Sequence, residues 1–352
     1  MNFAYNGLPA RVLFGRGTLT RLAELMGEIG GKRALLLSTP AQRGQVEPLL
    51  ALLGDAAVGL FAEAAMHTPL DISERAVATA QRAGADCVIA LGGGSTIGLG
   101  KAIALRTDLP QIAVPTTYAG SEVTPILGQT EGGRKTTQRT LKVLPEAVLY
   151  DVNLTLTLPA SMSATSGLNA IAHAVEGLYA RDGNPIVSLM AEEGVRALAQ
   201  ALPRIVDRPG DIEARSDALY GAWLCGTVLG SAGMALHHKL CHTLGGSFNL
   251  PHAETHAVVL PHATAYNAAA APDAMARLSR ALGVAQDPAG ALFDLGVRLG
   301  APAGLKALGM SQVDLDRAAD LAVENPYWNP RPIERPAIRR LLQAAFDGDR
   351  PA

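Results

Sequence analysis

Short apolar runs alternate with helical periodicity through the first part of the chain. Residues 33–38, 56–61, 87–91, 111–115 and 147–150 read as buried strands, and residues 18–29, 72–83 and 97–106 carry helix-like spacing of apolar positions. Strands alternating with amphipathic helices predict a parallel α/β sheet. In such a sheet ligands bind beyond the carboxyl ends of the strands. Ser38 and Thr39, the segment 92–95, and Thr116 and Thr117 all fall there. After Asp151 the texture changes. Leu158-Pro159 reads as a helix start with Ser161 and Ser163 as caps. From there to Phe346 the chain is dominated by Ala/Leu helical patterns, with 257–260 as the only strand-like run. The expected organisation is an α/β nucleotide-binding domain with a parallel sheet over 1–153 and an all-helical substrate domain over 154–352. The cleft between domains is the default place for a site.

The run Leu91-Gly92-Gly93-Gly94-Ser95-Thr96 lies between an expected strand and an expected helix. Bare amides at a helix N-terminus, aided by the helix dipole, bind phosphate. The spacing is neither the G-x-G-x-x-G fingerprint nor a P-loop. A tight connection needing positive φ is the plainer reading of the glycines taken alone.

The chain has 352 residues, enough for two domains and a large core. Its formal net charge of −2 gives no basic field for nucleic acid. No apolar run reaches the length of a membrane span, and the start of the chain lacks a basic segment leading into an apolar one. The cysteines Cys87, Cys225 and Cys241 form no CxxC pair, which suits reduced thiols in a cytoplasmic protein. Cys241 sits among histidines, where a metal or nucleophilic role is open, but a packed core thiol is the plainer reading.

Six of the eight histidines lie between His173 and His256. Asn169 and His173 are spaced i, i+4, which places an amide and an imidazole on one helix face. His238 and His242 repeat that spacing, and His252 follows in an expected loop. Three imidazoles and an amide so spaced are candidates to converge on one point. His67, His237, His256 and His262 read as ordinary hydrogen-bonded structural residues.

Several motifs together carry a family resemblance. These are Gly-Gly-Gly-Ser (92–95), Pro-Thr-Thr (115–117), Gly-Leu-Asn-Ala-Ile-Ala-His-Ala-Val-Glu (167–176), His238-x3-His242-x-Leu-Gly and Leu-Pro-His252. In this order they resemble the iron-containing (group III) alcohol dehydrogenase family, whose fold is shared with dehydroquinate synthase. The runs 94–103, 237–242 and 329–333 narrow the resemblance to the branch that reduces maleylacetate. The resemblance implies a nucleotide-binding α/β domain, a helical catalytic domain and, often, a homodimer. It maps the family's metal positions onto Asn169, His173, His238 and His252. It also places His242 near the nicotinamide and Lys135 on the cofactor.

Two departures stand out. An Asp of the family's metal site is Asn169 here, and Gly98 stands where many relatives carry an Asp. Both remove negative charge. Three imidazoles with a neutral amide lack the charge compensation that a carboxylate gives a hard divalent ion, so no metal is expected. Imidazoles with Lys239 and Lys142 as further candidates suit a dicarboxylate, and charge-assisted bonds to it are roughly twice as strong as neutral ones. The expected reaction is NADH- or NADPH-dependent reduction of the C=C bond of maleylacetate to 3-oxoadipate. His242 is the first candidate for the catalytic group, and His173, His238 and His252 shape the pocket. Ser38 and Thr39 stand where an NAD-selective enzyme places an acid, so use of both cofactors is expected. The competing readings are a metal-dependent alcohol or polyol dehydrogenase of the same fold, a lyase related to dehydroquinate synthase, and a non-catalytic nucleotide-binding protein.

Overall fold

Six parallel strands form the core of the first half of the chain. The structure is a computed structural model and describes residues 3, 5, 7, 8, 11–132 and 134–351, without the side chains of Arg134 and Lys135. Two compact units result, Gly7–Leu158 and one built from Pro159–Ala352.

In the first unit the strands are β1 (Arg11–Gly15), β2 (Ala34–Leu37), β3 (Ala57–Phe61), β4 (Cys87–Gly92), β5 (Gln111–Pro115) and, after a separate hairpin of β6 (Ile126–Glu131) and β7 (Arg134–Arg139), β8 (Ala147–Asp151). The sheet order is β1-β8-β5-β4-β2-β3. Helices α1 (Leu22–Glu28), α2 (Arg43–Leu53), α3 (Leu70–Ala83) and α4 (Gly94–Thr107) cover both faces. Leu36, Ile89, Leu91, Val114 and Leu149 pack with Leu25 and Leu49 on one face. The alternate residues Leu35, Leu37, Val88 and Ala90 pack with Ala76, Leu99 and Ile103 on the other. Burial on both faces is why these strands read as unbroken apolar runs.

From β2 the chain runs outward to β3, then returns to place β4 on the other side of β2. The direction of winding reverses there, and Leu37 pairs with Ala90 across the reversal. The carboxyl ends of β2 and β4 therefore flank the crevice where a doubly wound sheet binds its ligand.

Sequence reading misses β1, a half-buried edge strand, and the polar β6–β7 hairpin. The segment leading to the hairpin is held by Lys101, which is 1% exposed. Its three side-chain N–H groups are shared among four acceptors, the carbonyls of Ser121 (2.6 Å), Thr124 (2.8 Å) and Ile126 (2.9 Å) and Thr124 Oγ1 (2.9 Å). Tyr150 Oη donates to buried Glu122 Oε1 at 2.8 Å, fixing the same segment to β8.

The second unit contains α5 (Ala160–Leu178), α6 (Pro185–Asp207), α7 (Ile212–Ser231), α8 (Leu236–Phe248), α9 (His252–Asn267), α10 (Pro272–Leu282), α11 (Pro288–Arg298), α12 (Leu315–Val323) and α13 (Arg335–Asp347). The expected strand 257–260 is instead the buried centre of α9, because an apolar run packed on all sides fits a core helix as well as a strand. His252 opens α9 rather than lying in a loop. Ser161 and Ser163 lie inside α5 and do not cap it, and Ser163 Oγ bonds back to the Pro159 carbonyl at 3.0 Å. Among the described residues no single helix is long and apolar enough to cross a membrane.

Candidate active site

At the winding reversal Gly93 precedes α4, and no side chain caps the helix start. Gly92 has φ +153°, and a Cβ there would lie 2.5 Å from Thr96 Oγ1 and 2.8 Å from Gln42 Oε1. A Cβ on Gly93 would lie 2.9 Å from the Thr117 side chain, whereas one on Gly94 meets nothing within 4 Å. Two glycines thus admit close neighbours, and the third leaves the mouth of the helix open. Buried Ser38 Oγ and Thr96 Oγ1 have no hydrogen-bond partner. Gln42, which sequence reasoning missed, ties the strand ends together. Thr39 Oγ1 donates to Gln42 Oε1 at 3.1 Å, and Gln42 Nε2 donates to Thr116 Oγ1 at 2.9 Å. Uncapped amides, open space and buried hydroxyls fit the pyrophosphate of a dinucleotide. Ser95 lies in the first turn of α4. Lys135 lies in β7 opposite Thr130, and its side chain is outside the described residues.

The helical unit gathers the histidines. On α5, Asn169 and His173 are buried one turn apart. The His173 and His238 rings stack with centroids 5.2 Å apart, and His242 lies edge-on to His238 at 6.0 Å. His252 lies 4.4 Å from His256 and His256 lies 5.0 Å from His238, centroid to centroid. His237 joins through a 3.0 Å contact from its Nε2 to His256 Nδ1. His237 and His256 are therefore part of the cluster, against the sequence expectation. The signal was present: His252 and His256 make a third i, i+4 pair.

Glu176, three residues beyond His173, anchors the group. Its Oε1 accepts from the His237 amide at 2.6 Å, and its Oε2 accepts from the Ala235 amide at 2.8 Å and from His238 Nδ1 at 2.7 Å. These bonds satisfy amides at the start of α8 and place the His238 ring proton on Nδ1. Burial, then the neighbouring imidazoles, hold His173, His237 and His256 well below the ordinary histidine range. They are neutral at pH 7, so these three offer an anion hydrogen bonds rather than positive charge.

Between α12 and α13 the Pro- and Asn-rich strap crosses α8 and α9. Asn329 and Asn267 exchange side-chain amide bonds of 2.9 and 2.7 Å, and Tyr266 Oη donates to the Pro332 carbonyl at 2.6 Å. The strap brings Tyr327 Oη to 3.0 Å from His242 Nδ1, so it edges the candidate site. Lys239 Nζ donates to the Glu324 carbonyl at 2.7 Å, securing the strap's start. Lys142 belongs to the α/β unit, where it is exposed and ion-paired with Asp108 at 2.8 Å.

At the four positions where the resemblance implies the family's metal, the ligand set has no carboxylate to offset the charge of a divalent ion. Asn169 contributes a neutral carbonyl, and His173 an imidazole held in its neutral form. The cluster's carboxyl group, on Glu176, is turned to amides and to the far nitrogen of His238. Among the described residues, the group whose ligand atoms all lie within 4.8 Å is His237, Cys241 and His256 instead.

Residues 9–152 match the profile "Iron-containing alcohol dehydrogenase", and residues 163–346 match "Fe-containing alcohol dehydrogenase family, C-terminal". The chain belongs to the iron-containing alcohol dehydrogenase family. Within that family it is 61% identical to a maleylacetate reductase of Rhizobium sp. (strain MTP-10005) over 99% of both chains. It is 60% identical to one from Sphingobium indicum over 99% of this chain and 98% of that one. The crystal structure of maleylacetate reductase from Agrobacterium tumefaciens covers all of both chains with a TM-score of 0.96 and 60% identity. The parallel-sheet domain followed by a helical domain is the arrangement the family resemblance implied.

Proposed function

We propose that the chain reduces the C=C bond of maleylacetate to 3-oxoadipate with NADH or NADPH and without a required metal. The observation that carries this reading is full-length identity above one half to several maleylacetate reductases, joined to a neutral amide at position 169.

A nicotinamide bound with its pyrophosphate at the start of α4 supplies the hydride. Gly93, Gly94, Ser95 and Thr96 hold that anion, and Ser38, Thr39, Thr116, Thr117 and Gln42 line the strand ends beside it. No acid follows β2 to repel a 2′-phosphate, which supports use of both cofactors. In the helical unit His173, His238 and His252 shape the substrate pocket, and Asn169 offers an amide where relatives carry a carboxylate. Reduction of a conjugated enone places negative charge on the ketone oxygen, which a positioned donor stabilises. With Tyr327 donating to Nδ1, His242 keeps its proton on Nε2, the nitrogen that donates it. Such proton delivery contributes roughly 10²–10⁴-fold. Lys239 acts here through the strap that carries Tyr327. The enzyme works as a homodimer on this reading.

The test is NADH oxidation by the purified chain with freshly generated maleylacetate in excess EDTA. Rapid, maleylacetate-dependent oxidation is expected, with turnover falling about a hundredfold or more in His242→Ala. Activity that appears only on adding Fe²⁺ or Zn²⁺ would overturn the metal-independent half. No oxidation under either condition would overturn the whole reading.

A further inference from the structure

We propose that His237, Cys241 and His256 form a binding site for a borderline-soft divalent ion of the Zn²⁺ class, distinct from the four positions at which the family holds its metal. The inference rests on the geometry of these three side chains and does not depend on the reaction proposed above.

The three ligand atoms lie close enough together to surround one ion. His237 Nε2 lies 3.0 Å from His256 Nδ1 and 3.6 Å from Cys241 Sγ, and all three ligand atoms lie within 4.8 Å of one another. A tetrahedral zinc with bonds of about 2.1 Å to nitrogen and 2.3 Å to sulfur has edges of about 3.4 Å (N to N) and about 3.6 Å (N to S). In the metal-free chain the two imidazoles share a hydrogen bond, and a metal takes the place of the shared proton. The scaffold is rigid. His237 and Cys241 stand i, i+4 on α8, and His256 stands in the second turn of α9. None of the three is more than 1% exposed.

The chemistry of the donors separates this set from its neighbour. A thiolate supplies the negative charge that Asn169, His173, His238 and His252 lack, and sulfur with imidazole selects zinc-like ions over hard ones. Ligation through His237 Nε2 and His256 Nδ1 needs the ring protons on His237 Nδ1 and His256 Nε2, so the one proton between the two rings shifts to the far nitrogen of the ring that carries it. Both far nitrogens are buried and without a partner in the metal-free chain. Two buried acceptors of the same cluster, Asn169 Oδ1 and His238 Nε2, are also unpartnered. Binding releases one proton to solvent, from the Cys241 thiol. Three protein ligands leave a fourth position for water.

Cobalt(II) is the probe, because a cobalt–thiolate bond gives an intense near-ultraviolet charge-transfer band that imidazole ligation alone does not. The full chain is produced in Co²⁺-supplemented medium, stripped of loose metal, and examined without substrate or nucleotide. One retained Co²⁺ per chain is expected, with the thiolate band. The band should vanish in Cys241→Ser and persist in Cys225→Ser. If Cys241→Ser folds poorly by circular dichroism, His256→Gln serves instead and should weaken cobalt retention at least tenfold. Absence of bound cobalt would overturn the proposal. So would cobalt bound without the thiolate band, or a band that survives Cys241→Ser or, where that variant folds poorly, cobalt retention that survives His256→Gln. Because no turnover is measured, this outcome is independent of whether maleylacetate is the substrate.

Discussion

Glu176 Oε2 lies 2.7 Å from His238 Nδ1, and neither side chain is more than 5% exposed. One carboxyl group thereby fixes an imidazole tautomer and closes the first turn of α8. Glu176→Ala leaves two amides and a ring N–H without acceptors, at a cost of about 3 kcal/mol or more. Glu176→Gln keeps the volume but turns an NH₂ group toward donors, and should cost about 1–3 kcal/mol. Denaturant midpoints at constant m-value measure both. In addition, ¹⁵N spectra should show His238 losing its fixed Nδ1–H tautomer in the Gln variant. An unchanged tautomer there would show that Glu176 does not set it.

Asn169→Asp puts a carboxylate one helical turn from His173. Divalent metal should then bind at the family positions about tenfold tighter or more, the factor carried by 1.4 kcal/mol. Reduction of a dicarboxylate should slow, because a like charge now faces it. Metal content after dialysis and kcat/KM in EDTA report the two effects separately.

Gly98 and Thr68 occupy one space. A Cβ on Gly98 would lie 2.5 Å from Thr68 Oγ1, and Thr68 itself sits at φ +46°. The missing acid at 98 is thus a matter of fit as well as of charge. Gly98→Ala should cost about 1–3 kcal/mol through overpacking. Adding Thr68→Gly, which removes both the obstructing hydroxyl and the backbone strain, should restore most of the loss. Thermal unfolding of the two single variants and the pair measures the coupling. Simple additivity would refute a shared space.

His262 is buried in α9 with its ring 6.4 Å from that of Phe293, and burial holds it down to about 4. Between pH 6.5 and 4 the unfolded chain binds the proton and the folded chain does not, so stability falls as pH falls through this window. The full difference is about 3 kcal/mol at pH 4. His173, His237 and His256 shift in the same direction and add to the loss. His262→Gln should flatten the dependence of unfolding free energy on pH across this window. A slope equal to the parent's would remove His262 from the account.

Local chemistry carried much of this structure in plain sight. The strands β2, β4, β5 and β8 are legible because burial on both faces leaves their runs almost wholly apolar, and the edge strand β3 is legible from its apolar run alone. The hairpin β6–β7 is not, because its sequence is polar and its position depends on Lys101, a residue of another element. The run at 257–260 was ambiguous in principle: four apolar residues do not declare a period. In the site, the i, i+4 spacing found Asn169, His173, His238 and His242. The same spacing between His252 and His256 carries no helical meaning while His252 is expected in a loop, and gains it because His252 opens α9. Glu176 and Gln42 act by bonding to residues far away in sequence, and spacing cannot reveal such partners.

The edge strand β1 pairs with β8, and Asp151 reaches back to accept the Gly17 amide across 134 positions of chain. During synthesis at about 5–20 residues per second, β1 waits on the order of ten seconds for its neighbour to exist. Among the described strands of the sheet, the earliest in the chain is thus the last to be paired. For that interval the nascent chain carries an unpaired half-apolar strand, and a chaperone has its best opportunity to hold it.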